Sequence, residues 1–427
     1  FSDDEADAQA FDYVISNNTV ALPEGYMKIF HLDAGRKYFT VSEIEDIIDT
    51  LSASGYNYME LAIGNDGLRF LLDDMSVTVG KKMYSSEKVA NGIKEGNTDY
   101  TTASTGELSE ADMNEIISYA TSKGVSIIPL LNSPGHMDAI IKCMESLGME
   151  EVAYEDSKRT IDVTNAKAVK FTTNLIEKYV TYFAGKGCKV FNMGADEYAN
   201  DATIQKGFSG LISAGNYNYF VNYVNSIAAV IRNAGMVPMA FNDGIYYNSN
   251  TKFGAFDSNI AISYWTPGWP DYSPAAASFL AGKGHKIINT NDAWYYVLGR
   301  GTGSYNLSSA QNGVNTTKYN DVPGKDDPTP VGSMICMWCD EPGAKYSADE
   351  VNNVKGLITT FASNNQEVFT ATPSEPNKVP SNGPTNAMTS QSINLEYWIT
   401  NYEVYKTQSK QEHVQTITTE TEGATTE

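Results

Sequence analysis

Short apolar runs recur along the chain, and most are followed by a stretch whose apolar residues return every three or four positions. Apolar runs of this length, bounded by polar or turn-forming residues, predict buried strands. The eight predicted strands are Met27–Asp33, Asn57–Ile63, Val125–Asn132, Lys189–Gly194, Val237–Asp243, Ile260–Trp265, Lys286–Thr290 and Val331–Trp338.

The stretches between the strands predict amphipathic helices, because their apolar residues share one face at helical spacing. Ser42 is the expected N-cap of the first helix. The segment Tyr246–Ser258 after the fifth strand is too short and polar for a full helix, so one crossover is expected to be reduced. The predicted helices are Val41–Ser54, Ser109–Lys123, Asn165–Ala184, Tyr217–Ala234, Ser273–Gly282 and Ser347–Ala362.

Strands that alternate with helices indicate an α/β protein with a parallel sheet, and eight such units favour a closed (β/α)8 TIM barrel. No GxGxxG motif follows the first strand, which disfavours a dinucleotide-binding fold. Long βα-loop insertions, Asp66–Thr105 and Tyr295–Pro330, are expected over the face where barrel active sites lie. The expected segments are a lead-in over 1–25, the barrel over 26–370, an extension packing on the barrel over 371–408, and a Thr/Glu-rich linker over 409–427.

The composition narrows the range of partners and locations. The formal net charge of −22 disfavours nucleic acid and anionic membrane surfaces as partners. No apolar run reaches the roughly 18 residues that a membrane span requires. The polar Thr/Glu tail is typical of linkers between extracellular modules. We therefore expect a secreted or cell-surface location, and a monomeric module of a larger protein.

The cysteines do not indicate a metal site. Cys336 and Cys339 form a CxxC pair, but no second pair accompanies it and the chain has only 4 histidines. A structural zinc site needs four such ligands. Buried thiols are the simpler interpretation, and neither a metal nor a cofactor is expected.

Polar and aromatic residues follow nearly every predicted strand, and the carboxyl ends of barrel strands meet on one face. Two adjacent carboxylates, Asp196 and Glu197, end the fourth strand, and paired carboxylates are the usual acid/base equipment for glycosides. Each residue also has a structural interpretation: the acid pair could cap a helix, and a strand-end His or Trp could be part of the core. The strand-end candidates for substrate binding are Arg36, Asn132, His136, Asn242, Trp265, Trp338 and Asp340.

Several motifs together resemble the catalytic domain of glycoside hydrolase family 20, and most closely the streptococcal surface exo-β-N-acetylglucosaminidase domains of that family. The similarity runs in order over residues 26–370. The matching stretches are Gly35–Phe39, Gly64–Met75, Asn132–Asp138, Phe191–Asn200, Phe241–Gly244, Ile262–Trp265 and Val331–Met334.

The resemblance implies a role for each matched side chain. Asp196 is expected to hold the 2-acetamido group of the substrate, and Glu197 to act as general acid and then general base. Tyr295 is expected to hydrogen-bond the acetamido oxygen, with Tyr296 as the competing candidate. Arg36 and Asp340 are expected to bind ring hydroxyls, Trp265 and Trp338 to line the pocket, and His136 to support the site.

The chain departs from the family pattern at two places. Many members carry His and Gly where this chain has Asn192 and Ala195, which puts the support of Asp196 in question. The usual Trp-x-Glu is Trp338-Cys339-Asp340 here, and the shorter carboxylate leaves subsite preference open.

The implied reaction is hydrolysis of a terminal β-linked N-acetylhexosamine with retention, in which the substrate's own amide is the nucleophile. Of the acid pair, Glu197 is expected to have the raised pKa and Asp196 to stay ionised. Release of lacto-N-biose or of 6-sulfated GlcNAc is the alternative within the family. A non-catalytic glycan-binding module is the alternative outside it, and a metal-dependent barrel enzyme is weaker still.

Overall fold

Eight parallel strands close into a barrel in the computed structural model, which describes residues 13–316 and 328–369. Each strand pairs with the next one in chain order, and the last pairs with the first, so the predicted (β/α)8 barrel is confirmed. The strands are β1 (Met27–Asp33), β2 (Tyr58–Asn65), β3 (Ser126–Ser133), β4 (Val190–Gly194), β5 (Val237–Phe241), β6 (Ala261–Tyr264), β7 (Ile287–Asn289) and β8 (Gly332–Trp338).

The strands differ from the predicted ones by one or two residues at their ends. Short additional strands lie outside the barrel wall or beside it, at Gly67–Leu68, Val77–Val79, Lys82–Tyr84 and Tyr295–Val297. The lead-in has no helix or strand over residues 13–25. Its first twelve residues, the middle of the second insertion, the expected extension over 371–408 and the linker over 409–427 lie outside the described residues.

Helices surround the barrel, and all six predicted helices are present. As expected, the crossover after β5 holds only a single 3₁₀ turn, Tyr247–Ser249. A second 3₁₀ turn is Asp292–Trp294. The α-helices are Val41–Ala53, Ser86–Tyr100, Glu110–Ser122, Asp138–Ser146, Ala166–Gly185, Gly207–Ser213, Tyr217–Asn233, Ala277–Gly282, Leu307–Thr316, Ala348–Asn364 and Gln366–Phe369.

The helix Ser86–Tyr100, within the first insertion, buries only two large apolar side chains, Val89 and Ile93, because glycines occupy much of its contact face. A Cβ on Gly92 would lie 2.8 Å from Sγ of Cys143, and one on Gly96 would lie 2.6 Å from the backbone oxygen of Ala139. Both atoms belong to the helix Asp138–Ser146, so the two helices approach more closely than larger side chains would allow.

Side chains inside the barrel change from apolar to polar toward the carboxyl ends of the strands. In β1, Met27 and Ile29 join the apolar cluster of the barrel interior, whereas the alternate residue Phe30 packs in the outer core. Further along β1, His31 takes the inward side and pairs with Glu60 of β2 at 2.7 Å. Because side chains alternate along a strand, the same parity that fills the barrel with apolar groups brings polar groups to its carboxyl end.

The remaining sequence-based expectations concern the membrane and the thiols. Within residues 13–316 and 328–369, no helix has both the length and the apolar character that crossing a membrane would demand. All four cysteines are buried and free, in agreement with the interpretation as buried thiols.

The cap of the first helix differs from the prediction. Thr40, and not Ser42, is the N-cap of Val41–Ala53: its hydroxyl accepts from the backbone N–H of Glu43, and the Glu43 carboxylate accepts from the backbone N–H of Thr40. The reciprocal bonds form a capping box, which needs the acidic residue three positions after the cap. Thr40 satisfies that spacing and Ser42 does not.

Replacing Thr40 with Ala should therefore lower the free energy of unfolding by about 1 kcal/mol, because the backbone N–H of Glu43 loses its acceptor. Chemical denaturation followed by circular dichroism measures the change. Ser42→Ala is the matched control and should leave stability within about 0.5 kcal/mol. Equal losses in the two variants would contradict the assignment of the cap.

Candidate active site

A cavity of about 230 Å³ opens at the carboxyl ends of the strands, where barrel active sites lie. Eight of the residues predicted from the sequence line it: Arg36, His136, Asp196, Glu197, Trp265, Tyr295, Trp338 and Asp340. Asn65, Phe241, Trp269, Val297 and Tyr305 complete the lining. The cavity therefore combines carboxylates, one guanidinium, one imidazole and a nearly continuous aromatic wall.

The acid pair sits on a strained turn after β4. Ala195 and Glu197 have φ values of 67° and 47°, in the left-handed region that non-glycine residues avoid. After β4, the next helix begins only at Gly207. The interpretation of Asp196 and Glu197 as a helix cap is therefore wrong. Gly194 is required at the start of the turn, because a Cβ there would lie 1.9 Å from Oδ1 of Asn132. Strain of this kind persists only where the surroundings enforce it.

One imidazole connects the two acids. The His136 Nε2 lies 3.6 Å from Oδ2 of Asp196 and 3.3 Å from Oε2 of Glu197. The other ring nitrogen, Nδ1, lies 2.8 Å from Oδ1 of Asp66. Burial alone lowers the pKa of His136, but the carboxylates of Asp66 and Asp196 outweigh it and hold that pKa well above its usual value. His136 is therefore an imidazolium that donates to acids on both sides.

Arg36 anchors this ionic chain from below the rim. Its Nε donates to Oδ2 of Asp66 at 2.7 Å, and its Nη1 donates to Asp33 and Asp340 at 3.1 Å each. Asp66 thus accepts from both cations, and despite its burial their charges keep its pKa well below the usual range. The first insertion contributes Asp66 as support for the site and not as part of the cavity lining.

The pKa order of the acid pair is the reverse of the expectation. Burial and the neighbouring charge of Glu197 raise the pKa of Asp196, against the lowering effect of His136. Burial also acts to raise the pKa of Glu197, but the hydrogen bond and charge of His136 outweigh it, so that pKa is lowered. The Glu197 side chain is 33% exposed and that of Asp196 is 11% exposed. Burial acts strongly on both acids, and the hydrogen bond and charge of His136 distinguish Glu197.

Two predicted substrate-binding residues lie behind the cavity wall. Asn132 is buried, and its Nδ2 donates to Oδ1 of Asp196 at 2.8 Å. Asn242 is also buried, and its Oδ1 accepts from the backbone N–H of Trp265 at 2.8 Å. Both assignments are corrected on this point: these amides orient residues of the site and do not face the cavity. Both side chains are buried at the carboxyl ends of their strands, so their amides meet other residues of the site instead of the cavity.

Three aromatic side chains form the wall opposite the acids. The rings of Trp265 and Tyr295 are stacked with an interplanar angle of 15°, and Trp338 meets Tyr295 edge-on with a centroid distance of 5.5 Å. The buried hydroxyl of Tyr295 has no hydrogen-bonding partner of good geometry among the described residues. Burial keeps its pKa well above the usual value, so the hydroxyl remains a donor.

The choice between the two tyrosines left open by the sequence resolves by strand alternation. Tyr295 faces the cavity, whereas the next residue, Tyr296, points to the opposite side and donates from its hydroxyl to Oε2 of Glu350 in the helix Ala348–Asn364. Tyr296 is therefore corrected as a substrate-binding candidate, because consecutive residues of a strand face opposite sides.

Asn192 and Ala195, which depart from the family pattern, do not remove support from Asp196. Asn192 donates to Oε2 of Glu60 at 2.9 Å and accepts from the backbone N–H of Gly194 at 2.8 Å. It therefore holds the strand from which the acid pair turns, while Asn132 holds the Asp196 carboxylate directly.

The rim of the cavity carries an exposed carboxylate between two guanidinium groups. The side chain of Asp340 is 40% exposed and lies 3.1 Å from Nη1 of Arg36 and 3.4 Å from Nη2 of Arg300. A carboxylate beside a bidentate cation suits a pair of neighbouring hydroxyls. Sequence reasoning missed Arg300, because it follows no barrel strand and belongs to no matched motif.

Other contributions to the site were also missed. Asp243 ends a predicted strand and belongs to a matched motif, but no role was predicted for it. Its buried carboxylate accepts from the backbone N–H of Glu197 at 2.8 Å and from Nε1 of Trp265 at 3.0 Å. Burial and the charge of Asp196 raise the pKa of Asp243 to about 7. Tyr272 donates to the same carboxylate, and Tyr305 enters the cavity from the second insertion. No local pattern in the sequence indicates these last two.

A metal ion could be considered at one place among the described residues. His136, Asp196 and Glu197 offer potential ligand atoms that lie within 4.8 Å of one another. A metal-bound histidine must be deprotonated on the ligating nitrogen, but the raised pKa of His136 favours the imidazolium. The donor set therefore fits proton transfer better than metal binding.

Comparison with known proteins gives a consistent result. A family model for the catalytic domain of glycosyl hydrolase family 20 matches residues 28–356. One of the tandem catalytic modules of the pneumococcal exo-β-D-N-acetylglucosaminidase StrH is 42% identical, with a TM-score of 0.77 over 81% of this chain and 84% of that one. Dispersin B shares the fold, with 19% identity and a TM-score of 0.60 over 80% of this chain and 99% of that one.

A more distant relative is the lacto-N-biosidase of Bifidobacterium bifidum, 25% identical over 54% of this chain. Another is the β-hexosaminidase subunit A2 of Dictyostelium discoideum, 22% identical over 54% of this chain. The aligned part spans only 21% and 40% of the lengths of these two relatives. The family match, the barrel and the acid pair agree: the chain belongs to glycoside hydrolase family 20 and carries that family's catalytic domain.

Proposed function

We propose that the chain is an exo-β-N-acetylglucosaminidase, which removes terminal β-linked GlcNAc from glycans with retention of configuration. The observation that carries the proposal is the pairing, across one cavity, of an acceptor and a donor whose neighbour Cys336 offers only a weakly accepting sulfur. Asp196 offers a carboxylate, and Tyr295 offers a hydroxyl without a partner of good geometry among the described residues.

A secondary amide fits this pair of groups. Its N–H donates to the Asp196 carboxylate, its carbonyl oxygen accepts from the Tyr295 hydroxyl, and its methyl group rests against the indole rings of Trp265 and Trp338. An alcohol at the same position of a sugar carries its donor and its acceptor on a single oxygen. It lacks the span of an amide, so one polar group of the site would be left without a partner. A buried polar group without a partner costs about 1–3 kcal/mol, so the site favours 2-acetamido sugars.

The proposed reaction follows from this orientation. Glu197 gives its proton to the glycosidic oxygen while the bond from C1 to that oxygen breaks, and the acetamido oxygen forms a new bond to C1. The resulting oxazolinium ion carries its positive charge next to Asp196. Glu197, now a carboxylate, takes a proton from water as the water oxygen attacks C1. The bond from C1 to the acetamido oxygen breaks, which opens the oxazolinium ring. Two inversions at C1 give net retention.

The size of the cavity supports release of one sugar. At about 230 Å³ it is smaller than the roughly 300–1,000 Å³ typical of ligand pockets. Arg36 and Asp340 close it at the rim, where the hydroxyls at the non-reducing end would bind. Release of lacto-N-biose, the activity named for the relative from Bifidobacterium bifidum, would require space for a second ring. An extracellular, cell-surface setting stays a prediction from the composition.

The proposal requires the N-acetyl group. Nitrophenyl β-GlcNAc should be hydrolysed at least about 1,000-fold faster, in kcat/KM, than nitrophenyl β-glucoside, because the glucoside has no internal nucleophile and leaves the site's polar groups unsatisfied. Parallel assays with lacto-N-biose and 6-sulfated GlcNAc substrates test the alternatives within the family. An assay with EDTA present tests whether the reaction depends on a metal ion. Comparable hydrolysis of the glucoside would refute the mechanism, and measurable GlcNAc binding without hydrolysis would favour a binding module.

The acid pair should divide its work when each residue is replaced separately. Glu197→Gln should lower kcat by about 100- to 10,000-fold with poor leaving groups and much less with dinitrophenol, which needs no proton. Asp196→Asn should lower kcat with all leaving groups while GlcNAc still binds. Rate measurements with several aryl glycosides test both statements. A covalent adduct on either residue, trapped with a fluorosugar and seen by mass spectrometry, would contradict substrate assistance.

The hydrogen bond from Asn132 should set the acid limb of the pH profile. Asp196 must be ionised to stabilise the oxazolinium ion, and the Asn132 amide favours the ionised form by lowering the pKa of Asp196. In Asn132→Ala that pKa rises further, so activity should appear only at higher pH than in the wild type. A kcat/KM profile measures the limb, and Asn289→Ala, another buried asparagine at a strand end, is the control. A limb that stays in place would exclude this role of Asn132.

A further inference from the structure

The buried carboxylate of Asp243 joins parts of the site that belong to different loops. It follows β5, has no solvent exposure, and accepts from the backbone N–H of Glu197 on the loop after β4. It also accepts from Nε1 of Trp265 and from the hydroxyl of Tyr272, both on the loop after β6. All its hydrogen-bonding partners are donors, and these bonds favour the ionised carboxylate against the burial that raises its pKa.

The contact with Glu197 bears on a strained residue. Glu197 has a φ of 47°, a conformation that costs about 1–3 kcal/mol unless the surroundings enforce it. The hydrogen bond of 2.8 Å from its backbone N–H to Asp243 Oδ2 fixes the orientation of that peptide group. A hydrogen bond contributes about 0.5–1.5 kcal/mol, and about 1.5–3 kcal/mol when the acceptor is charged, which is comparable in size to the strain.

The contacts with the loop after β6 make the position of the carboxylate itself well determined. The Tyr272 ring stacks on Trp269 at 4.2 Å with an interplanar angle of 14°, and the backbones of these two residues are hydrogen-bonded to each other. Gly268 permits this tight turn, since a Cβ there would lie 2.1 Å from the backbone oxygen of Tyr272. The loop therefore presents the Tyr272 hydroxyl to Asp243 from a rigid frame.

We propose that Asp243 is a positioning residue for catalysis: it holds Glu197 in the left-handed conformation that aims its carboxyl group at the glycosidic oxygen, in fixed register with Trp265. It does not contact substrate and transfers no proton. This inference rests on the proposed function, because it assigns to Asp243 the placement of the general acid in that reaction.

The dependence of rate on the leaving group tests the inference. Asp243→Ala should lower kcat about 100-fold with a poor leaving group, because a displaced general acid donates its proton inefficiently. With dinitrophenyl β-GlcNAc, which needs no proton, the loss should be only a few-fold. Trp338→Phe should lower both rates by similar factors, because it alters the acetamido pocket and leaves Asp243 with all its donors. Asp257→Asn, at a partly buried carboxylate that pairs with Arg232 before β6, should leave the ratio of the two rates unchanged.

A double mutant separates positioning from a merely structural role. If Asp243 acts through Glu197, adding Asp243→Ala to Glu197→Gln should leave the ratio of rates as it is in the Glu197→Gln variant. Tyr272→Phe, which removes one donor to Asp243, should show the same preference for the activated substrate to a smaller degree, and it decides the matter if Asp243→Ala does not fold. Equal losses on both substrates, or additive effects in the double mutant, would overturn the inference alone. Absence of hydrolysis by the wild type would overturn the proposed function as well.

Discussion

The repulsion between Asp196 and Glu197 is the constraint on which the rest of the site depends. Two unit charges about 5 Å apart repel by roughly 3 kcal/mol at an effective dielectric constant of 20. The imidazolium of His136 lies against both carboxylates and offsets this repulsion. His136 is itself buried and needs a partner, and Asp66 provides it. Arg36 then balances the charges of Asp33, Asp66 and Asp340. Each buried charge at this end of the barrel therefore depends on an opposite charge beside it.

The alternation of strands and helices was sufficient to predict the barrel, because its strands are buried on both sides and interrupted by polar loops. The prediction failed where contact between elements replaced apolar periodicity. The helix Ser86–Tyr100 packs through Gly92 and Gly96 against Asp138–Ser146. Only Val89 and Ile93 are large buried apolar residues on this face, so its hydrophobic pattern is weak. The cap at Thr40 was also missed, since the spacing to Glu43 was not taken into account.

The candidate site could be predicted in its composition but not in its connections. The residues that line the cavity follow strands, so their convergence follows from the topology of the barrel. Asn132 and Asn242 also follow strands, yet their amides turn toward other residues of the site. Asp243, Tyr272 and Tyr305 act through contacts between loops, and those contacts depend on backbone conformations, such as the left-handed Glu197, that sequence spacing does not encode.

The pKa order of the acid pair shows why electrostatics was the least predictable part of the site. Proximity of like charges requires that the two pKa values differ. It does not determine which of the two acids has the higher pKa. His136 decides this by favouring the ionised form of Glu197, while burial disfavours the ionised form of Asp196. A sugar in the cavity would cover the exposed third of the Glu197 side chain and bring the amide N–H to Asp196. Desolvation would raise the pKa of Glu197, and the hydrogen bond from the amide would lower the pKa of Asp196. Binding of substrate would therefore prepare the pair for catalysis.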